Sequence, residues 1–293
     1  MEMRSDRVGI SWRGELAVGV LLHLDRIDVV ELIADDYFAA CGKQIRALES
    51  LGREVPILLH GVGLGPASAS PVKRILLERM ARLVDQLEPE FWSEHLAFVR
   101  AGDREIGHLA APPRTAATVE GTASNLDLAR RVVGSSPIVE NIATLIDPPG
   151  STFHEADWIH RILAESGCYL LLDLHNVYAN ATNFGFDPHD FLRTIPMERV
   201  GAIHLAGGRW IGDVGTAPGG GRRLLDDHLH PVPDPVYELL EEVASLVSRP
   251  LTVILERDGR YPDFSVLLGE LEAARSAIRR GRARRLAPEA VPV

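Results

Sequence analysis

Gly167-Cys-Tyr-Leu-Leu-Leu-Asp-Leu-His-Asn176 is the stretch on which the fold turns. Residues 169–173 run apolar without alternation and close on a carboxylate. A strand that faces solvent on one side alternates in polarity; a continuously apolar one is covered on both faces, as parallel strands are. Working outward, similar short runs recur at Val8–Ser11, Val29–Leu32, Pro56–His60, Phe91–Glu94, Pro137–Glu140, Val200–His204 and Thr252–Glu256. Amphipathic helical patterns lie between most of them, at Pro71–Leu87, Thr115–Val133, Glu155–Ser166, Asp234–Val247 and Asp263–Arg280. Eight strands alternating with helices predict an α/β fold, a single (β/α)8 TIM-type barrel. A doubly wound sheet is the alternative. Gly61-Val-Gly63-Leu-Gly65 does follow a strand, but Pro66 and the small residues after it do not open a helix in nucleotide-binding register. The barrel is expected over residues 1–281, with 282–293 as a disordered tail. Ala206–Arg223, rich in glycine, reads as a mobile active-site lid.

Composition narrows the function. The 293 residues carry 41 acidic and 31 basic side chains, a net charge of −10, and 46% are hydrophobic. This is a globular balance, and the acidic sign disfavours a nucleic-acid partner. Two cysteines, Cys41 and Cys168, exclude a disulfide framework and a Cys-rich zinc module. No run is long enough for a membrane span, and Met1–Arg7 has no apolar segment behind it, so a soluble cytoplasmic protein is expected.

The functional signal is positional. His60 closes the third strand, Glu94-His95 the fourth, Glu140 the fifth, Asp173 the sixth, His204 the seventh and Glu256 the eighth. In a barrel these ends share one mouth, where catalytic groups gather. Carboxylates crowded there repel one another unless cations neutralise them. Imidazole and carboxylate without thiolate suit iron, manganese or zinc. The loops beyond the strands add His175 and Asn176, and then Asp226-Asp-His228-Leu-His230. An Asp-x-His in extended chain sends both side chains to one side, within chelating range of one ion. His175 and His230 are read as residues that orient a ligand or touch substrate. Cys168, at the far end of its strand from Asp173, reads as a buried structural thiol, and His23, His108, His154, His160 and His189 as surface or capping residues.

His60-Gly-Val-Gly-Leu64, Ser93-Glu-His-Leu96, Val139-Glu-Asn141, the stretch Gly167–Asn176, Asn183-Phe-Gly-Phe-Asp187, Ile203-His-Leu-Ala-Gly207, Leu225-Asp-Asp-His-Leu-His-Pro-Val232 and Glu256-Arg-Asp258 together resemble the DUF692 family. These are multinuclear non-haem iron-dependent oxidative enzymes, among them the methanobactin biosynthetic oxidase. The resemblance runs from about Gly9 to Arg275. It implies a TIM-type barrel with two or three irons, O2 as co-substrate, and oxidation of a ribosomally made precursor peptide, most often at a cysteine. Carried over by position, His60, His95 and Glu140 are the ligands of one iron, with Glu140 bridging. Asp173, His204 and Glu256 serve a second; Asn176, Asp226 and His228 serve a third. Many relatives use a separate partner protein that presents the leader part of the peptide. His175 departs from the family, where an Asn is usual, and Asp35-Asp-Tyr37 stands for the usual Glu-Asn-Tyr. The same ligand order also resembles endonuclease IV and xylose isomerase-like barrels, so a divalent-metal hydrolase or isomerase is the alternative reading.

Overall fold

The computed structural model describes residues 5–212 and 221–286, apart from residues 69 and 103. Along the chain it runs β1 (Arg7–Ser11), α1 (Ala17–Leu22), β2 (Val30–Ile33), α2 (Gly42–Glu54), β3 (Ile57–Gly61), α3 (Arg74–Leu87) and β4 (Trp92–His95). The hairpin β5 (Phe98–Ala101) and β6 (Arg104–Ala110) follows, then α4 (Ala116–Val133), β7 (Ile138–Glu140), α5 (Glu155–Ser166), β8 (Tyr169–Asp173), α6 (Leu174–Phe184) and α7 (Pro188–Thr194). The chain closes with β9 (Val200–Leu205), a second hairpin of β10 (Gly208–Ile211) and β11 (Arg223–Asp226), α8 (Asp234–Leu246), β12 (Thr252–Leu255) and α9 (Phe264–Leu286).

Eight parallel strands form a closed barrel in the order β1-β2-β3-β4-β7-β8-β9-β12. The apolar runs explain why: Leu170, Leu171 and Leu172 of β8, Leu58 and Leu59 of β3, and Val253 and Ile254 of β12 are all fully buried. Each therefore needs cover on both faces, and outer helices provide one of them. Local signals set the helix ends. Thr115 caps α4 by accepting from Thr118 N at 3.3 Å, and Asp187 precedes Pro188 at the start of α7. Register then levels the rim, pairing His60 with Ser93, His95 with Glu140 and Asp173 with His204.

Four details differ from the sequence reading. The chain after β9 is not all lid: Gly208–Ile211 pairs antiparallel with Arg223–Asp226, and the remainder, 213–220, lies outside the described residues. The β5–β6 ribbon was not foreseen, because Arg104–Ala110 is polar and mostly exposed and has no buried face to pattern it. Asp173-Leu-His-Asn176 is not a loop: Asp173 Oδ1 accepts from Asn176 N at 2.6 Å and caps α6, so His175 and Asn176 stand in its first turn. The last helix continues five residues past 281, to Leu286. Arg282 holds it there, bonding Asp6 at 2.6 Å and the carbonyls of Ala244 at 3.1 Å and Arg249 at 2.7 Å. Gly281 lets α9 approach α8 closely, since a Cβ would run into the Glu241 carbonyl oxygen. Residues 287–293 lie outside the described residues. No helix among the described residues is long and apolar enough to cross a membrane.

Candidate metal centre

The strand ends bring two groups of donors together. One atom each from His60, His95 and Glu140 lie within 4.8 Å of one another, and so do one each from Glu140, Asp173, His204 and Glu256. Glu140 belongs to both. All six residues are buried, none more than 8% exposed.

Hydrogen bonding on the outer side fixes which nitrogen each imidazole presents. Ser93 Oγ donates to Leu59 O at 3.3 Å, so it accepts from His60 Nδ1 at 2.8 Å. Gly61 O can only accept, and it lies 3.1 Å from His95 Nδ1. Both rings therefore turn Nε2 inward, 3.3 Å from each other, and each is 3.4 Å from Glu140 Oε2. His204 is reversed. Its Nε2 lies 3.1 Å from Glu31, and its Nδ1 faces Glu256 Oε2 at 3.0 Å and Glu140 Oε1 at 3.5 Å.

Several inward atoms have no hydrogen-bond partner among the described residues: Glu140 Oε2, Asp173 Oδ2, His204 Nδ1 and Asn176 Oδ1. A buried polar atom left unpaired is costly. Lone pairs that converge on one space match what a cation, or a proton in its place, would bind. The electrostatics point the same way. Burial alone would depress His95, yet Glu140 and Glu94 outweigh it and push the ring up to about 9. Burial likewise opposes protonation of His204, and Glu256, Glu31 and Glu140 raise it well above the ordinary range. Asp173 is raised by burial and then by Glu140 and Asp226. His60 is lowered by burial and by His95 and His204. The pocket demands positive charge and takes protons where no cation stands.

The third expected set is only partly assembled. Asp226 Oδ2 lies 2.9 Å from His228 Nε2, but not through an extended chain, because His228 is left-handed at φ 53°. Asp226 Oδ1 is taken by His175 Nδ1 at 2.8 Å. Together the two imidazoles outweigh burial and hold this carboxyl well below its usual range. Asn176 lines the same cavity, its Nδ2 donating to Asn141 O at 3.0 Å. His230 turns away to Asp227 at 2.9 Å and Arg260 at 3.2 Å. His175 is fully buried beneath Gly208, where any Cβ would meet its ring.

Sequence reasoning missed Glu31, whose signal was a lone carboxylate inside the apolar run Val29–Ile33. It also gave Asn141 no role, yet this side chain grips the end of β8, donating to Asp173 O at 3.0 Å and accepting from Asp173 N at 2.9 Å. Glu94 faces away from the centre and accepts from Leu64 N at 3.2 Å and His95 N at 2.9 Å. His108, read as a surface residue, lines the mouth. The cavity there, about 690 Å3, reaches His95, Glu140, Asn176, Asp226 and His228 at its base, and its walls include Leu109, Ile142, Leu145, Pro148 and Leu225.

The model of the RiPP precursor modification enzymes MbnB/TglH/ChrH matches residues 7–279. The chain belongs to this family. Among relatives, a UPF0276 protein of Caulobacter vibrioides is 32% identical over 256 residues, 87% of this chain and 88% of the relative. Another, from Acaryochloris marina, is 32% identical over 266 residues, 91% of this chain and 92% of the relative. Among solved structures, an L-ribulose 3-epimerase superposes with a TM-score of 0.61 at 13% identity, covering 98% of this chain and all of that one. A xylose isomerase domain protein from Planctomyces limnophilus gives 0.56 at 14% identity, covering 96% and 98%. These two likenesses establish the barrel alone.

Proposed function

We propose that the protein is a multinuclear non-haem iron enzyme that uses O2 to oxidise a ribosomally synthesised precursor peptide at a cysteine. The observation that carries this is the convergence of bare imidazole nitrogens and unpartnered carboxylate oxygens around Glu140. His60, His95 and Glu140 would hold one iron, Asp173, His204 and Glu256 a second with Glu140 between them, and Asn176, Asp226 and His228 a third. Neutral imidazoles and carboxylates accommodate both Fe(II) and Fe(III) and leave positions open for substrate and O2. Iron bound there would supply the redox capacity to use O2 against the substrate.

The chain's own residues prepare the site. Ser93 and Gly61 O hold the outer nitrogens of His60 and His95, which fixes the ring orientations before any ion arrives. Asn141 locks the end of β8, and with it Asp173. The apolar walls of the mouth exclude water and offer a bed for uncharged peptide side chains. Cytoplasmic residence fits two unpaired cysteines. A leader-presenting partner protein is part of the proposal.

The second reading is a divalent-metal hydrolase or isomerase, which the same buried imidazole and carboxylate groups would also serve. Against it stands the same mouth. A sugar needs hydrogen-bonding side chains on all sides, and here those at the base face walls that include Leu109, Ile142, Leu145, Pro148 and Leu225. Co-expression with short peptides encoded beside the gene, followed by intact-mass measurement, tests the proposal. An oxidative mass change that disappears in His204→Ala supports it. Unchanged peptides, together with turnover of a sugar by the zinc- or manganese-loaded protein, would establish the second reading.

A further inference from the structure

Glu31 lies on β2, whose neighbours are β1 and β3, and pairs in register with Ser11 and Leu58. Its side chain crosses the barrel interior to β9, three strands away in barrel order, where both carboxylate oxygens stand 3.1 Å from His204 Nε2. It is fully buried. The neighbouring carboxylates of Glu256 and Glu140 oppose its ionisation, and His204 favours it. A buried Glu–His pair is a poor choice for stability alone, since two apolar residues of similar volume usually serve a barrel interior as well or better.

The three imidazoles of the centre are not equivalent. His60 leans on a serine hydroxyl and His95 on a peptide carbonyl, both neutral. His95 Nδ1 also has Glu94 Oε1 at 3.5 Å, but of the three only His204 has both oxygens of a carboxylate at 3.1 Å behind it, and only His204 turns Nδ1 rather than Nε2 to the centre. A carboxylate behind an imidazole fixes its tautomer and raises its basicity as a ligand.

We propose that Glu31 is the positioning residue that sets His204 with Nδ1 facing inward, and that it makes the cation position of Asp173, His204 and Glu256 the tighter of the two that share Glu140. This rests on the metal-centre part of the proposed function, and not on iron, O2 or a peptide.

The test uses the full chain reconstituted with cobalt(II) alone, followed by visible absorption, with thermal melting alongside. Glu31→Leu removes the hydrogen bond while filling the space; it should still fold, melting below the wild type because His204 Nε2–H loses its buried partner, and one cobalt equivalent should bind about 10–100-fold more weakly, with the other equivalents unchanged. Glu31→Gln, whose side-chain carbonyl still accepts from Nε2–H, should keep the wild-type cobalt spectrum and lose less affinity than the Leu variant. A Leu variant that binds every equivalent as the wild type does overturns the proposal. So does one in which all equivalents weaken together, since that marks a structural role. A wild-type chain that takes up no cobalt overturns the metal reading as well. Cobalt binding with the expected Glu31 effects, but no action on peptides, leaves this inference standing and removes only the peptide reading.

Discussion

His60 Nε2 and His95 Nε2 stand 3.3 Å apart, with both Nδ1 positions engaged elsewhere. Were both rings neutral in these tautomers, each would present a lone pair to the other and to Glu140 Oε2, 3.4 Å from each ring. Such an arrangement is repulsive until positive charge enters it. The pair is therefore suited to a cation, and His95, pushed up to about 9, takes a proton where none stands.

The donor types admit iron, and its presence is a testable part of the proposal. Aerobically purified protein should contain more than one iron per chain, since nitrogen and oxygen donors without thiolate suit it. Elemental analysis checks this. Zinc alone in the protein, with activity restored by zinc and not by iron, would transfer the case to the hydrolase.

Glu140 belongs to both donor groups, whereas His95 belongs to one. Glu140→Ala should accordingly lose more metal than His95→Ala, which should lose roughly one ion. Equal losses, measured on the two variants side by side, would remove the bridging role.

The outer position should be the weakest. Asp226 closes β11 of the outer ribbon and His228 lies just beyond it, neither on a barrel strand, and Asp226 is already engaged by His175. Asn176 adds no charge, and ordering ligands outside the barrel frame costs entropy. Asp226→Ala should release about one iron, and mild chelation should empty this position first. Melting should change little, because the barrel strands keep their packing. Loss of all iron, or an unfolded barrel, would rule out a labile third site.

Leu225 lines the mouth from β11. Leu225→Asp places a charge against an uncharged part of the substrate and should raise KM for the peptide by about tenfold. Iron content should hold. A fall in kcat with KM unchanged would mean that the peptide does not lie on this wall.

Gly281→Ala probes the fold rather than the site. The added methyl meets the Glu241 carbonyl, and separating α9 from α8 should cost about 1–3 kcal/mol, seen as a lower melting temperature. An unchanged melt would show that the two helices slide apart freely.

The barrel was legible because its signal is local. Tyr169–Asp173 and Thr252–Leu255 declare themselves as doubly covered strands through neighbouring residues alone, and their last residues mark the rim. The β5–β6 ribbon was not, since exposed strands carry no apolar pattern and form through partners brought near by the barrel. His60, His95, Glu140, Asp173, His204 and Glu256 could be named from where the apolar runs stop. How they face one another could not, because strand register and ring orientation depend on residues distant in the chain. Glu31 and His204 are separated by 173 positions. Nothing in either segment announces the other, and only closure of the barrel brings the carboxylate on β2 to the imidazole on β9. Residue chemistry and period are local properties that sequence by itself determined here; tautomer, inward nitrogen and shared carboxylate are relations across the barrel, and tertiary structure alone decided them.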